Sequence, residues 1–122
     1  MKRILVIDDD APIRVLLRRL LEAEGYVVEV AADGNEGIHQ YRGQPADLVI
    51  VDMVMPGKEG IQTIMELKQE YPHARIIAIS GIGPVLGDEL LAMAQRLGAQ
   101  VTLAKPIFRK DMLTAVKQVL AA

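Results

Sequence analysis

The chain has 122 residues, enough for one domain with a buried core and too few for two independent ones. Its 14 basic and 16 acidic residues give a net charge of -2 without a basic run, so we expect neither nucleic acid nor a membrane surface as a direct partner. The absence of cysteine excludes disulfides, thiol chemistry and a cysteine-based zinc site. The apolar run in MKRILVIDDD is too short for a signal peptide or a membrane span, and we expect a cytoplasmic protein with one functional site.

Five short apolar runs rich in β-branched residues predict five strands. They are ILVI (4–7), YVVEVA (26–31), LVIV (48–51), IIAI (76–79) and VTLA (101–104). The first, third and fourth runs are unbroken, which is typical of strands buried on both faces. The second contains Glu29 and the fifth Thr102, so these two are predicted as the edge strands.

Helical periodicity occupies the segments between the strands, with apolar residues spaced three and four apart. The predicted apolar faces are Ile13, Leu16, Leu17, Leu20 and Leu21; Ile61, Ile64 and Met65; Leu86, Leu90, Met93, Ala94 and Leu97; and Met112, Val116, Val119 and Leu120. Gly25 and Gly98 end two of these helices, and Asp33 with Glu36 forms a capping pair that opens the second. Alternating strands and helices predict an α/β fold, a flavodoxin-like (βα)5 three-layer sandwich whose parallel sheet has the order 2-1-3-4-5.

Polar residues follow four of the predicted strands, and the carboxyl ends of parallel strands share one rim of the sheet. Asp8 and Asp9 follow the first strand, Asp52 the third, Ser80 the fourth and Lys105 the fifth. A single polar residue at a strand end is an ordinary transition to solvent. Five together, on strands that the predicted order makes adjacent, indicate a binding site outside the carboxyl ends.

The residue types of this rim predict phosphoryl chemistry at a metal ion. Asp8, Asp9 and Asp52 supply the oxygen ligands that favour Mg²⁺ or Mn²⁺. A carboxylate beside such an ion can attack phosphorus and form an aspartyl phosphate. Lys105 and the Ser80 hydroxyl can neutralise and hydrogen-bond the phosphoryl oxygens, and Gly81 leaves room for its own N–H to approach them.

The chain resembles, over essentially its whole length, the receiver domain of two-component response regulators. The resemblance rests on VIDDD (6–10), VDMVMPGKEG (51–60), ISG (79–81) and LAKPI (103–107), which occur in order and at similar spacing. It implies one receiver domain over residues 1–122, with no output domain in this chain. It further implies phosphorylation by a sensor histidine kinase or a histidine phosphotransfer protein, and control of a downstream protein or output domain.

The resemblance also implies roles for individual residues. Asp52 is the phosphoacceptor, Asp8 and Asp9 are the acidic pair that holds Mg²⁺, and the backbone carbonyl of Val54 is a further ligand. Ser80 is expected to move towards the phosphoryl group, and Lys105 is the matching lysine. Pro106 is expected to follow a cis peptide bond that aims this lysine.

Several other positions have structural interpretations or depart from the family. We expect Asp10 to be a solvated or helix-capping acid rather than a ligand. Pro56, Gly57 and Gly60 are expected to turn the chain after Asp52, the two histidines to lie on the surface, and the six methionines to fill the core.

Where receivers usually have Tyr or Phe, this chain has Thr102, which puts the usual switch coupling in doubt. The predicted switch is a small shift of the 81–88 loop and the fourth helix, changing the face formed by helix four, strand five and helix five.

Two alternatives remain open at this point. A receiver-like module that binds partners without phosphorylation would have the same fold, although such modules usually lack an acid or the lysine. A haloacid-dehalogenase-type phosphatase would use Asp8 and Asp10 as its Asp-x-Asp pair. That interpretation leaves Asp52 without a role and finds only Asp111 where an acidic pair is needed.

Overall fold

The structure is a computed structural model that describes residues 1–55, 60–81 and 84–121, without the side chains of residues 84–87. The strands are β1 (Arg3–Ile7), β2 (Val27–Ala31), β3 (Leu48–Asp52), β4 (Ile76–Ser80) and β5 (Val101–Ala104). The helices are α1 (Ala11–Glu22), α2 (Gly34–Gly43), α3 (Gly60–Glu70), α4 (Pro84–Arg96) and α5 (Arg109–Ala121). Each predicted strand is confirmed to within one residue at either end. Among the described residues, no helix combines the length and apolar character needed to cross a membrane.

The strands form one parallel sheet in the order β2-β1-β3-β4-β5, as predicted. In its register Ile7 pairs with Val51, Asp52 with Ile79, and Ser80 with Ala104. The strands β3 and β4 are buried along their whole length, whereas β2 and β5 are partly exposed. The prediction of β2 and β5 as edge strands is therefore confirmed.

Helices cover both faces of the sheet and create two hydrophobic clusters. Alternate strand residues such as Ile4 and Val6 pack with α1 and α5, while Leu5 and Ile7 pack with α2, α3 and α4. This alternation follows from the period of two in a strand, which sends successive side chains to opposite faces. The three-layer sandwich is confirmed.

The predicted helix ends are largely confirmed. Gly25 and Gly98 have φ values of 92° and 114°, a backbone conformation that favours glycine, just beyond α1 and α4. The Asp33 carboxylate accepts a hydrogen bond of 2.8 Å from the Glu36 N–H and so caps α2. One boundary was wrong: the predicted 81–88 loop is helical from Pro84 onward, while residues 82 and 83 lie outside the described residues.

The predicted apolar faces of the helices are wider than the faces that the structure buries. Leu16, Met65 and Met93 are 46%, 52% and 41% exposed. They lie at the borders of otherwise buried faces, because the i, i+3, i+4 rule selects a broad stripe while a helix on a sheet buries a narrower one. With Met1 also exposed, the prediction that all six methionines fill the core was wrong; the buried ones are Met53, Met55 and Met112.

Candidate metal and phosphoryl site

The predicted site residues meet at the carboxyl rim of the sheet. Asp8 follows β1 directly, and Lys105 follows β5. Asp52 and Ser80 are the last residues of β3 and β4, rather than the first residues after them. Because their strands are neighbours, these polar groups converge from parts of the chain that are far apart in sequence.

Three carboxylates form the centre of this site. One oxygen each from Asp8, Asp9 and Asp52 lie within 4.8 Å of one another. Asp8 is fully buried and Asp52 is 3% exposed, whereas Asp9 is exposed. Such a set of oxygens, two of them buried, is costly without a cation and matches the ligands that hard divalent ions prefer.

Asp52 is held on both of its carboxylate oxygens. Its Oδ1 accepts a hydrogen bond of 3.1 Å from the Val54 N–H, and its Oδ2 lies 3.4 Å from the Lys105 ammonium. Burial, together with the nearby negative charge of Asp8, raises the pKa of Asp52 to about 6, although the Val54 amide and Lys105 act in the opposite direction. The carboxylate is therefore destabilised in its charged form until a cation or a covalent group joins it.

Asp8 is fixed by four interactions. Its N–H donates to the Ala31 carbonyl at 3.1 Å, and its Oδ1 accepts from the Asp10 N–H at 2.9 Å. Its carbonyl accepts from Arg14 Nη1 at 2.7 Å. Its Oδ2 accepts no hydrogen bond that meets geometric criteria among the described residues, but lies 3.2 Å from Lys105 Nζ as an ion pair. A buried carboxylate oxygen in this position points to a cationic partner.

Lys105 follows the edge strand β5, and its ammonium group reaches both buried acids. Burial alone would lower its pKa, but the Asp52 and Asp8 carboxylates outweigh burial and leave the pKa raised. Its N–H donates to the Ser80 carbonyl at 2.8 Å, and the peptide bond to Pro106 is cis, as the resemblance implied. A methyl group at Gly81 would lie 2.9 Å from Lys105 Cδ, so glycine leaves the room that this side chain occupies.

The Ser80 hydroxyl is the unpaired group of the site. The residue is 3% exposed, and its Oγ has no hydrogen-bond partner within the described part of the chain. A buried hydroxyl without a partner costs free energy, and this one can still donate a hydrogen bond to a group that enters the rim.

Gly60 has a second role that the sequence did not reveal. A methyl group there would lie against the Asp52 carbonyl oxygen and 2.6 Å from the Cα of Met53. The first residue of α3 thus packs directly on the backbone that carries Asp52. Pro56 and Gly57, which were expected to share the turn, lie outside the described residues.

Other predicted positions lie away from the acid cluster. Asp10 is exposed at the N-cap of α1 and makes no side-chain capping bond, so it is solvated, as expected, without capping. Both His39 and His73 are exposed, as predicted. Thr102 is half-buried in β5, paired with Ala78.

Arg14 was missed by sequence reasoning. It lies between the predicted apolar positions of α1 and is half-buried, with its guanidinium on the Asp8 carbonyl. Its position four residues after the acidic triplet is the only local signal, and an arginine in the first turns of a helix is ordinarily a surface residue.

The fold and this rim define a class of protein. The family model described as "Response regulator receiver domain" matches residues 4–117, and the chain belongs to that family. It is 34% identical over 121 residues to the "Chemotaxis protein CheY" of Halobacterium salinarum, covering 99% of this chain and 98% of that protein. It is 31% identical to "Sporulation initiation phosphotransferase F" of Bacillus subtilis, covering 98% of this chain and 94% of that protein.

Solved structures agree with this assignment. The receiver domain protein (CheY-like) from Methanospirillum hungatei superposes with a TM-score of 0.91 at 30% identity, covering 99% of this chain and 94% of that chain. The receiver domain of NtrX from Brucella abortus gives a TM-score of 0.92 at 27% identity, covering 98% of both chains.

Proposed function

We propose that this chain is a phosphoacceptor switch in which Asp52 receives a phosphoryl group from a phosphohistidine donor. The observation that carries the proposal is the arrangement around Asp52. A buried carboxylate lies within 4.8 Å of two others, 3.4 Å from Lys105, and on the strand next to that of the buried Ser80 hydroxyl. Receiver domains generally act as such switches rather than as enzymes with separate substrates, and we assign this chain the same behaviour.

The acid cluster fits a magnesium ion. Asp8, Asp9 and Asp52 supply carboxylate oxygens, and the Val54 carbonyl is the further ligand that we propose. Once bound, Mg²⁺ would neutralise charge on the transferring phosphoryl oxygens. The fit is supported by the buried Asp8 Oδ2, whose partner among the described residues is the Lys105 ammonium alone.

The proposed transfer moves the phosphoryl group from a histidine nitrogen of the donor to Asp52. An Asp52 carboxylate oxygen attacks phosphorus, the O–P bond forms, and the P–N bond of the donor breaks with its electron pair remaining on the imidazole nitrogen, which then takes up a proton. Lys105 offsets the negative charge of the phosphoryl oxygens, and Ser80 donates its hydroxyl hydrogen to one of them. Water later attacks phosphorus, which releases inorganic phosphate and restores the carboxylate.

The proposed donor is a sensor histidine kinase or a histidine phosphotransfer protein, and we expect the reaction in the cytoplasm, where such donors are made from ATP. The proposed output is a change in the surface formed by α4, β5 and α5, read by a downstream protein or a linked domain. Since β5 carries Thr102 in place of an aromatic residue, we propose that movement of Ser80 is passed on mainly by the start of α4.

The experiment that tests the proposal is intact-protein mass spectrometry after incubation with acetyl phosphate. We expect one phosphoryl adduct that requires Mg²⁺, disappears with EDTA and is absent in Asp52→Ala. Absence of an adduct, under conditions that modify a known receiver, would favour a module that binds partners without phosphorylation. An adduct that survives Asp52→Ala and is lost in Asp8→Ala would instead revive the phosphatase interpretation.

A further inference from the structure

Arg14 joins helix α1 to the acidic triplet at two points. Its backbone N–H donates to the Asp10 carbonyl at 3.0 Å, as one of the first hydrogen bonds of the helix. Its guanidinium Nη1 donates to the Asp8 carbonyl at 2.7 Å. A single residue therefore binds the carbonyls of both Asp8 and Asp10, the residues that flank Asp9 in the chain.

Asp9 depends on this backbone more than Asp8 does. Asp8 is buried, and its carboxylate is fixed by the Asp10 amide and by Lys105. The Asp9 carboxylate is exposed and receives no hydrogen bond or ion pair from the described residues. The Asp8–Asp9 peptide plane fixes where the N and Cα atoms of Asp9 lie, so a shift of this plane would displace the Asp9 side chain as well.

We propose that Arg14 is a positioning residue for the metal site, holding the Asp8–Asp9 peptide so that the Asp9 carboxylate stays within reach of the other two. The proposal rests on the proposed magnesium site and adds to it a residue that touches neither the ion nor the phosphoryl group. Groups that orient metal ligands from behind commonly change metal affinity by 10-fold to 100-fold when removed.

Positioning and charge have opposite effects on Mg²⁺ binding, and this makes the proposal testable. The guanidinium is a positive charge bound to the backbone of the acidic triplet, so its removal would strengthen the attraction of the cluster for a cation if charge were all that mattered. Loss of the hydrogen bond would release the Asp9 peptide and weaken binding. The sign of the change in Mg²⁺ dissociation constant therefore distinguishes the two effects.

The experiment measures the Mg²⁺ dissociation constant of the full chain by isothermal titration calorimetry, with thermal melting in EDTA to verify the fold. Arg14→Met keeps the aliphatic part of the side chain and removes the hydrogen-bond donors and the charge. Arg14→Lys keeps the charge and a single donor nitrogen. Arg18→Met is the matched control, because Arg18 lies on the same helix and forms an exposed ion pair of 3.4 Å with Glu22, away from the acid cluster. Should Arg14→Met not fold, Arg14→Gln, whose side chain is shorter, takes its place.

We expect Mg²⁺ to bind Arg14→Met about 10-fold more weakly than wild type at an unchanged melting temperature, with most of the affinity restored in Arg14→Lys. Arg18→Met should bind like wild type. A folded Arg14→Met that binds Mg²⁺ as tightly as wild type, or more tightly, would overturn the role of Arg14 alone. A wild-type chain that binds no Mg²⁺ would overturn the proposed site and this inference with it.

Discussion

At Asp52 the chain keeps a carboxylate where its charge is unfavourable. Burial and the Asp8 carboxylate raise its pKa to about 6 from an ordinary value of 3.8. In the unfolded chain the same group loses its proton at lower pH, so between these two values the native state binds more protons than the unfolded state. The free energy of unfolding must then fall as pH rises through this window.

The predicted consequence concerns Asp52→Asn in the absence of metal. The variant should match wild type below pH 4 and become more stable than wild type as pH rises to 7, by about 1 to 3 kcal/mol, since one pKa unit corresponds to about 1.4 kcal/mol. Urea denaturation followed by circular dichroism in EDTA at several pH values measures this. Saturating Mg²⁺ should narrow the gap, because the ion binds the folded wild type. A gap that is independent of pH would contradict the prediction.

Removal of the Ser80 hydroxyl should affect the rate of phosphorylation but not the free energy of unfolding. Because Oγ is buried and has no partner among the residues that the structure describes, Ser80→Ala should leave the free energy of unfolding unchanged or raise it slightly. The same variant should slow phosphorylation by acetyl phosphate at least about 10-fold, since a donor to the phosphoryl oxygens is lost. Time-resolved intact mass and urea denaturation check the two halves, and a large loss of stability would show that the hydroxyl has a structural partner.

At the scale of elements, the start of α3 is fitted to the end of β3. Gly60 packs on the Asp52 carbonyl oxygen and on Met53 with no space for a side chain. The contact is between two backbones, neither of which can rotate away as a side chain can. The approach of α3 therefore fixes the strand end on which Asp52 lies.

Gly60→Ala should lower the free energy of unfolding by about 1 to 3 kcal/mol, because the added methyl group forces the helix and strand apart. It should also slow phosphorylation of Asp52. Gly43→Ala is the matched control, since Gly43 is also a helix residue and has open space around it. That control should be unchanged or up to about 1 kcal/mol more stable. Equal behaviour of the two variants in urea denaturation would count against a tight contact at Gly60.

The whole molecule derives its stability from a sheet covered on both faces. Ile50 lies in the central strand β3 and is completely buried among residues that pack with α1 and α5. Leu16 belongs to the apolar pattern of α1, yet it is 46% exposed. Two residues that the sequence patterns both assigned to the core thus differ in burial.

Ile50→Ala should lower the free energy of unfolding by about 2 to 5 kcal/mol through loss of buried contacts and creation of a cavity. Leu16→Ala should change it by no more than about 0.5 kcal/mol. Urea denaturation of both variants at one pH is sufficient to compare them. A cost at Leu16 approaching that at Ile50 would mean that this face of α1 is covered in solution.

Much of this architecture could be predicted from the sequence because its determinants are local. Apolar runs of four to six residues, glycines at helix ends and the Asp33 cap each act within a few residues. The polar residues in two runs identified the edge strands, which agreed with an order already known for this fold class. The rim could be predicted as well, because strand ends in a parallel sheet share an edge. Predictions failed where a local sequence pattern carries no information about the segment packed against it, as for the exposure of Leu16 and the first residue of α4.

The sequence by itself determined the fold class, the strand order and the residue types that meet at the rim. Only the tertiary structure decided how those residues are held: the burial of the Ser80 hydroxyl, the contact of Gly60 with the backbone of Asp52, and the bond from Arg14 to the Asp8 carbonyl. The reason is physical. Periodicity and turn preference depend on near neighbours in the chain, whereas burial, pKa and hydrogen bonding in the site depend on distances between segments that only packing brings together.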